Sequence, residues 1–146
     1  MGEYVYSVWI RATPTQVWRT YVDPNRIPEW QTGKPAIEDA RGVPGEAGST
    51  YVSRRGPLVA RTTVVTSVVP ARLVTRTDAY LGMQFELTSR LTDRAGGTHL
   101  ELIAKTRWPP RRRTVGRVVD RVILNPREAD KELTNLKSII EREAAT

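Results

Sequence analysis

Residues 83–108 alternate. In MQFELTSRL (83–91), Met83, Phe85, Leu87, Ser89 and Leu91 share one face, with Gln84, Glu86, Thr88 and Arg90 opposite. In THLELIAKTRW (98–108), Leu100, Leu102, Ala104 and Thr106 oppose His99, Glu101, Ile103 and Lys105. A period of two belongs to strands that bury one face. Arg94-Ala95-Gly96-Gly97 between them is a hairpin turn, so the pair predicts two antiparallel strands.

Other segments extend the sheet. EYVYSVWIR (3–11) reads as a strand of ambiguous parity, because Val5 and Trp9 oppose Tyr6, Val8 and Ile10. KPAIEDARG (34–42) reads as a short strand and STYVSRRG (49–56) as another. LVARTTVVTSVVP (58–70) is a β-branched run stopped by Pro70, and RLVTRTDAY (72–80) follows it. Gly and Pro punctuate the connections at VPGEAGS and Gly56-Pro57.

Helices sit at three places. Thr13-Pro14-Thr15-Gln16 holds a capping threonine, a proline suited to the first helical position and a glutamine that closes a capping box. Val17, Trp18 and Tyr21 then give a short amphipathic helix. Asp23-Pro24 starts a second one, which Pro28 is expected to end. Near the C-terminus Thr114 can cap a helix whose stripe is Val115, Val118, Val119 and Val122. Asn125-Pro126-Arg127-Glu128 restarts it, and Ala129, Leu133, Leu136 and Ile140 form an apolar face. The order is one strand, two short helices, six further strands or one fewer, and a long helix. Short turns between consecutive strands imply an antiparallel sheet, and the long helix must bury its stripe against it.

Length and composition remove several classes of function. A chain of 146 residues is expected to form a single domain, 1–146, burying about 68–70% of its unfolded surface. Lacking cysteine, it has no disulfides, thiol catalysis or thiolate-bound metal. His99 is the only histidine and reads as a surface residue, so no metal and no cofactor is expected. No apolar run approaches the roughly 18 residues of a membrane span. The start MGEYVYSVWI has Glu3 and no basic region, unlike a signal peptide. Tyr6 stands where a myristoylation motif requires Ser or Thr. A cytoplasmic location and a monomer are expected. The net charge of +7 is concentrated: Lys105, Arg107, Arg111, Arg112, Arg113, Arg117 and Arg121 face Asp120 alone between residues 105 and 121.

The motifs IRATPTQVW, DPNRIPEW, GEAGSTY, VVPARLV, GGTHLEL and LTNLKSIIERE, in that order, resemble the START-like (SRPBCC) superfamily, and its polyketide cyclase/dehydrase-like branch in particular. The resemblance spans about residues 4–143. It implies an α+β helix-grip fold: a curved antiparallel sheet of six to seven strands wrapped around a long C-terminal helix, with two short helices after the first strand. It also implies a pocket between sheet and helix that takes an apolar or amphipathic small molecule, lipid- or polyketide-like. Some members of the superfamily catalyse cyclisation or dehydration, but no shared catalytic motif exists to carry over.

Within that frame Phe85, Leu87 and Leu102 face the pocket by parity, opposite Leu133, Leu136 and Ile140. The same residues equally suit a filled core. Tyr51, Ser53, Thr63 and Thr106 are candidate polar groups of the pocket. Trp30, after the second short helix, is either a pocket-mouth residue or a packing anchor. Trp108 either flanks the entrance or stays exposed. Tyr51, Arg76 and Asp78 are the weak catalytic candidates; Arg76 and Asp78 share a strand face, which suits either proton transfer or a surface ion pair. The run Arg107-Trp108-Pro109-Pro110-Arg111-Arg112-Arg113 reads either as a solvated loop or as a contact to an anionic surface through Arg111, Arg112 and Arg113. It matches no nucleic-acid fold motif. Three functions follow: ligand binding, a polyketide cyclase- or dehydratase-type reaction, and an interaction module using residues 105–121.

Overall fold

In the computed structural model, which describes residues 2–123 and 125–146, seven strands form one antiparallel sheet. They are β1 (Gly2–Ile10), β2 (Ala36–Arg41), β3 (Thr50–Arg55), β4 (Leu58–Val68), β5 (Arg72–Asp78), β6 (Gln84–Arg94) and β7 (Gly97–Arg107). The sheet order is β1-β7-β6-β5-β4-β3-β2. From β2 to β7 each strand pairs with the next, and β1 returns to pair with β7. The sheet wraps the C-terminal helix, and this is the helix-grip fold.

The helices form for local reasons. α1 (Pro14–Tyr21) has the capping box read from Thr13 and Gln16: each side chain bonds the other's backbone N–H. A single 3-10 turn (Pro24–Arg26), capped by Asp23, leads into α2 (Ile27–Trp30). Pro28 does not end this helix. It sits in the first turn, where a proline's missing N–H is not needed. After β7, a 3-10 turn (Pro110–Arg112) runs into α3 (Arg113–Ile123). Thr114 therefore lies inside α3 rather than capping it. α4 (Pro126–Ala144) restarts with Asn125 accepting from the Arg127 N–H, as its sequence predicts.

The register settles which residues face inward. Tyr6 pairs with Leu102 and Val8 with Leu100, so Tyr4, Tyr6, Val8 and Ile10 of β1 face α4, and Val5 faces out. Trp9 lies on the other face, closing over Gly97 and donating its indole N–H to the Arg94 carbonyl. His99 pairs between Trp9 and Thr92 and is half-buried there, less exposed than its sequence position suggests. The core gathers Ile10, Val17, Trp18, Tyr21, Leu91, Leu100, Leu133, Leu136 and Ile140. It fills the end of the sheet nearest α1 and α2. Among the described residues no helix is long and apolar enough to cross a membrane.

Candidate functional site

The inner face of the sheet changes character along its strands. At the α1 end Leu91, Leu100 and Ile10 are buried beneath α4. Two to six residues further along the same faces, Phe85, Leu87 and Leu102 are only half-buried, as are Tyr6 and Tyr51. These side chains point toward the helices, not away from them. Tyr6, Tyr51 and Leu102 pack against the edge of the core, and Ala104 and Thr106 beyond them are buried again.

Hydroxyl groups punctuate this apolar surface. The Tyr21 hydroxyl bonds Ser89 at 2.7 Å. Thr62 bonds Thr77 across the β4–β5 pair at 2.8 Å, and Tyr51 stands opposite Thr62 on β3. Burial pushes the Tyr51 and Tyr21 hydroxyls above the usual tyrosine range, so both are neutral donors at physiological pH. Thr106, on the inner face of β7, donates to Asp120 of α3 at 2.8 Å. The Trp108 indole donates to the other Asp120 oxygen at 2.9 Å. Asp120 is buried. It ties α3 down onto the end of β7.

A second acid stands at the other rim. Glu132 of α4 is half-buried and accepts from Thr32 at 3.1 Å. Burial raises its pKa above the ordinary 4.5, Thr32 and Arg55 oppose the rise, and Glu128 adds to it. Arg55 itself is held by Gln31 at 2.8 Å. Among the described residues no group of three or more acidic, histidine or cysteine side chains is placed to hold a metal.

The residues singled out in the sequence divide between the two faces. Tyr51, Ser53, Phe85, Leu87, Leu102 and Thr106 lie on the inner face. Leu133, Leu136 and Ile140 lie on the buried face of α4, as part of the core. Thr63 pairs with Thr50 and Arg76 on the outer face; its neighbour Thr62 takes the inner position. Arg76 and Asp78 do share a face, but it is the outer one, where both are exposed beside Glu86 and Gln84. The inner positions of β5 are Leu73, Thr75 and Thr77. Trp30 ends α2 rather than following it, and is a core residue stacked at a tilt on Tyr21, ring centroids 5.9 Å apart. Among the described residues its buried indole nitrogen has no hydrogen-bond partner. Trp108 is buried, neither flanking an entrance nor exposed.

A pocket of about 270 Å³ opens on the outside between α1 and the end of α4. Of the two arginines that line it, Arg26 is already clamped by Glu29 and Glu143.

A family model described as "Polyketide cyclase / dehydrase and lipid transport" matches residues 1–141. The chain belongs to this family. Solved structures share the polyketide cyclase/dehydrase fold at low identity. Protein MLL2253 from Mesorhizobium loti superposes with a TM-score of 0.72 at 18% identity, over 97% of this chain and 98% of that one. The Aha1 dimer from Colwellia psychrerythraea gives 0.67 at 16%, over 97% of each. DynU16, a protein of the dynemicin biosynthetic locus, gives 0.70 at 18%, over 97% of this chain and 48% of its own. No curated protein matches. The fold of this polyketide cyclase/dehydrase family member is thus one suited to hydrophobic ligands. The sequence alone missed Thr62, Thr77, Asp120 and Glu132. A signal existed for Asp120: it follows Gly116 by one helical turn, so a bare glycine and an acid share one face of α3.

Proposed function

We propose that this chain binds an apolar or amphipathic small molecule, lipid- or polyketide-like, between the sheet and α4. One observation carries the reading: Phe85, Leu87, Leu102 and Tyr51 face inward yet are only half-buried. Covering their apolar surface with ligand contributes roughly 25 cal/mol per Å². The hydroxyls of Tyr51, Thr62 and Thr77 would then orient a polar group, Thr62 and Thr77 being bonded to each other. The family description, which names lipid transport beside cyclisation, points the same way.

Native mass spectrometry on protein purified gently from its source, followed by extraction, tests this. The expected result is a discrete bound mass of apolar character, lost on Leu87→Trp. Protein free of any bound mass, with no uptake of added lipids or aromatic polyketides, would overturn it.

A second reading is favoured by Glu132. An acid whose proton is held by burial is a candidate general acid, and dehydration of a polyketide-like substrate needs one. Here Glu132 joins Tyr51, while Arg76 and Asp78 lie on the outer face. Turnover unchanged in both Glu132→Gln and Tyr51→Phe would remove these two residues from any such reaction.

A further inference from the structure

The helix α3 shows solvent an unusual combination of side chains. Val115 and Val118 are 54% and 60% exposed. They lie three residues apart on one flank of the helix. Arg113 and Arg117, four apart, form another exposed flank. What α3 presents to the protein is different: Gly116, packed against the Trp108 ring, and Asp120, bonded to Thr106 and Trp108. The apolar stripe therefore faces water, where a surface helix of a globular domain would turn it inward. The Val122 side chain of that stripe lies outside the described residues.

The neighbouring turns continue the pattern. Leu81 is 46% exposed and holds a φ of +60°, a conformation that is costly for a leucine. Its neighbour Gly82 packs directly against Pro109, so this leucine stands beside the turn that leads into α3. Around these apolar groups lie Arg107, Arg111, Arg112, Arg113 and Arg117, all exposed. Among the described residues none of the five makes an ion pair or a side-chain hydrogen bond. The one acid of the segment, Asp120, is turned inward and bonded, so its charge does not face the arginines' solvent side. Lys105 belongs elsewhere: it lies between Glu3 and Glu86 on the outer sheet face.

We propose that this end of the molecule docks on an anionic lipid bilayer, with Val115, Val118 and Leu81 entering the interface and the arginines meeting lipid phosphates. Uncompensated cations select a negative surface. Exposed aliphatic groups set among them select a surface with an apolar interior. Nucleic acid fits less well, because the one aromatic ring of the segment, Trp108, is buried and offers no platform for base stacking. The surface lies at the end of the molecule where Asp120 ties α3 to β7. It does not depend on what the interior binds.

Flotation with vesicles of phosphatidylcholine alone and of phosphatidylcholine with phosphatidylglycerol tests the proposal on the full chain. Binding to the mixed vesicles and not to the neutral ones is expected, and it should fall steeply by about 0.5 M salt. Replacing Arg111, Arg112 and Arg113 together by Gln should weaken it on the order of 100-fold, at about fivefold per arginine. Val115→Ser with Val118→Ser should weaken it several-fold at constant charge. All five residues are exposed, so the melting temperature should hardly move and serves as the folding control. Equal binding to neutral vesicles, absence of binding, or insensitivity to the arginines would overturn the proposal. Insensitivity to the valines would also overturn it, reducing the contact to charge alone. Tight binding of single-stranded RNA through the same arginines, with vesicles ignored, would assign the surface to nucleic acid instead.

Discussion

In the sequence Asp120 is one acid among seven bases; in the fold it is a buried carboxylate with two donors. Hydrogen bonds to a charged group contribute about 1.5–3 kcal/mol each. Asp120→Ala leaves the Trp108 indole and the Thr106 hydroxyl without their acceptor, so a loss of about 3 kcal/mol or more is expected in urea unfolding. Asp120→Asn keeps the shape and one acceptor oxygen and should lose less. Glu132 carries the opposite sign. Burial makes the folded chain hold this proton to higher pH than the unfolded chain does. Between the ordinary value of 4.5 and the raised one, the folded state binds more protons, so stability falls as pH rises. Below both values the group costs nothing, and above both the full cost persists. Glu132→Gln should therefore be more stable than the parent at neutral pH, and the difference should close below pH 4.5. Denaturation at a series of pH values reads this directly, because the carboxylates held low by Arg26, Arg41 and Lys137 are common to both proteins and cancel. The sequence offered a hint only for Asp120, in its spacing from Gly116, and none for Glu132. Both roles depend on which residues from distant segments come to face a carboxylate.

Elements were easier to read where their signals are local. The capping box of α1 and the Asn125 cap of α4 involve residues three or fewer apart, and both form as spelled. Pro28 misled, because a proline near a helix's first turn and one just past its end look alike. In α3 the valine stripe was visible but its direction was not. The sequence pattern favours burying valines; the fold buries Gly116 and Asp120 instead. This makes Gly116 a test of how α3 is seated. In an exposed helix interior, Gly→Ala stabilises by about 1 kcal/mol. Here a Cβ would stand 2.3–2.5 Å from the Trp108 ring, which is itself buried and bonded. Displacing that ring is an overpacking cost of about 1–3 kcal/mol, so the clash outweighs the propensity. Gly116→Ala should lower the melting temperature, and near-ultraviolet circular dichroism should register the moved indole.

At the scale of the whole molecule, the period-two strands and the order of elements were enough to indicate an antiparallel sheet gripping one helix. What they left open was the pairing of β1 with β7, which joins residues nearly a hundred positions apart and fixes the ambiguous parity of β1. Inner and outer faces also separate there. Phe85 and Leu87 were placed correctly because β6 alternates cleanly, whereas Thr63 sits in a run of β-branched residues whose two faces read alike. The inward residues differ in burial by position. Leu136 is 0% exposed, while Leu87 is half-buried. The same substitution should then act on different properties. Leu136→Trp forces an indole into closed packing and should cost about 1–3 kcal/mol of stability. In the proposed pocket, Leu87→Trp would place the indole where the ligand binds. It should change stability by about 1 kcal/mol or less and weaken binding of the apolar dye anilinonaphthalene sulfonate about tenfold, equivalent to 1.4 kcal/mol. Fluorescence titration beside urea unfolding separates the two. If both variants lost stability alike and the dye bound neither them nor the parent, the interior at Leu87 would be closed core, and the ligand reading would fall with it.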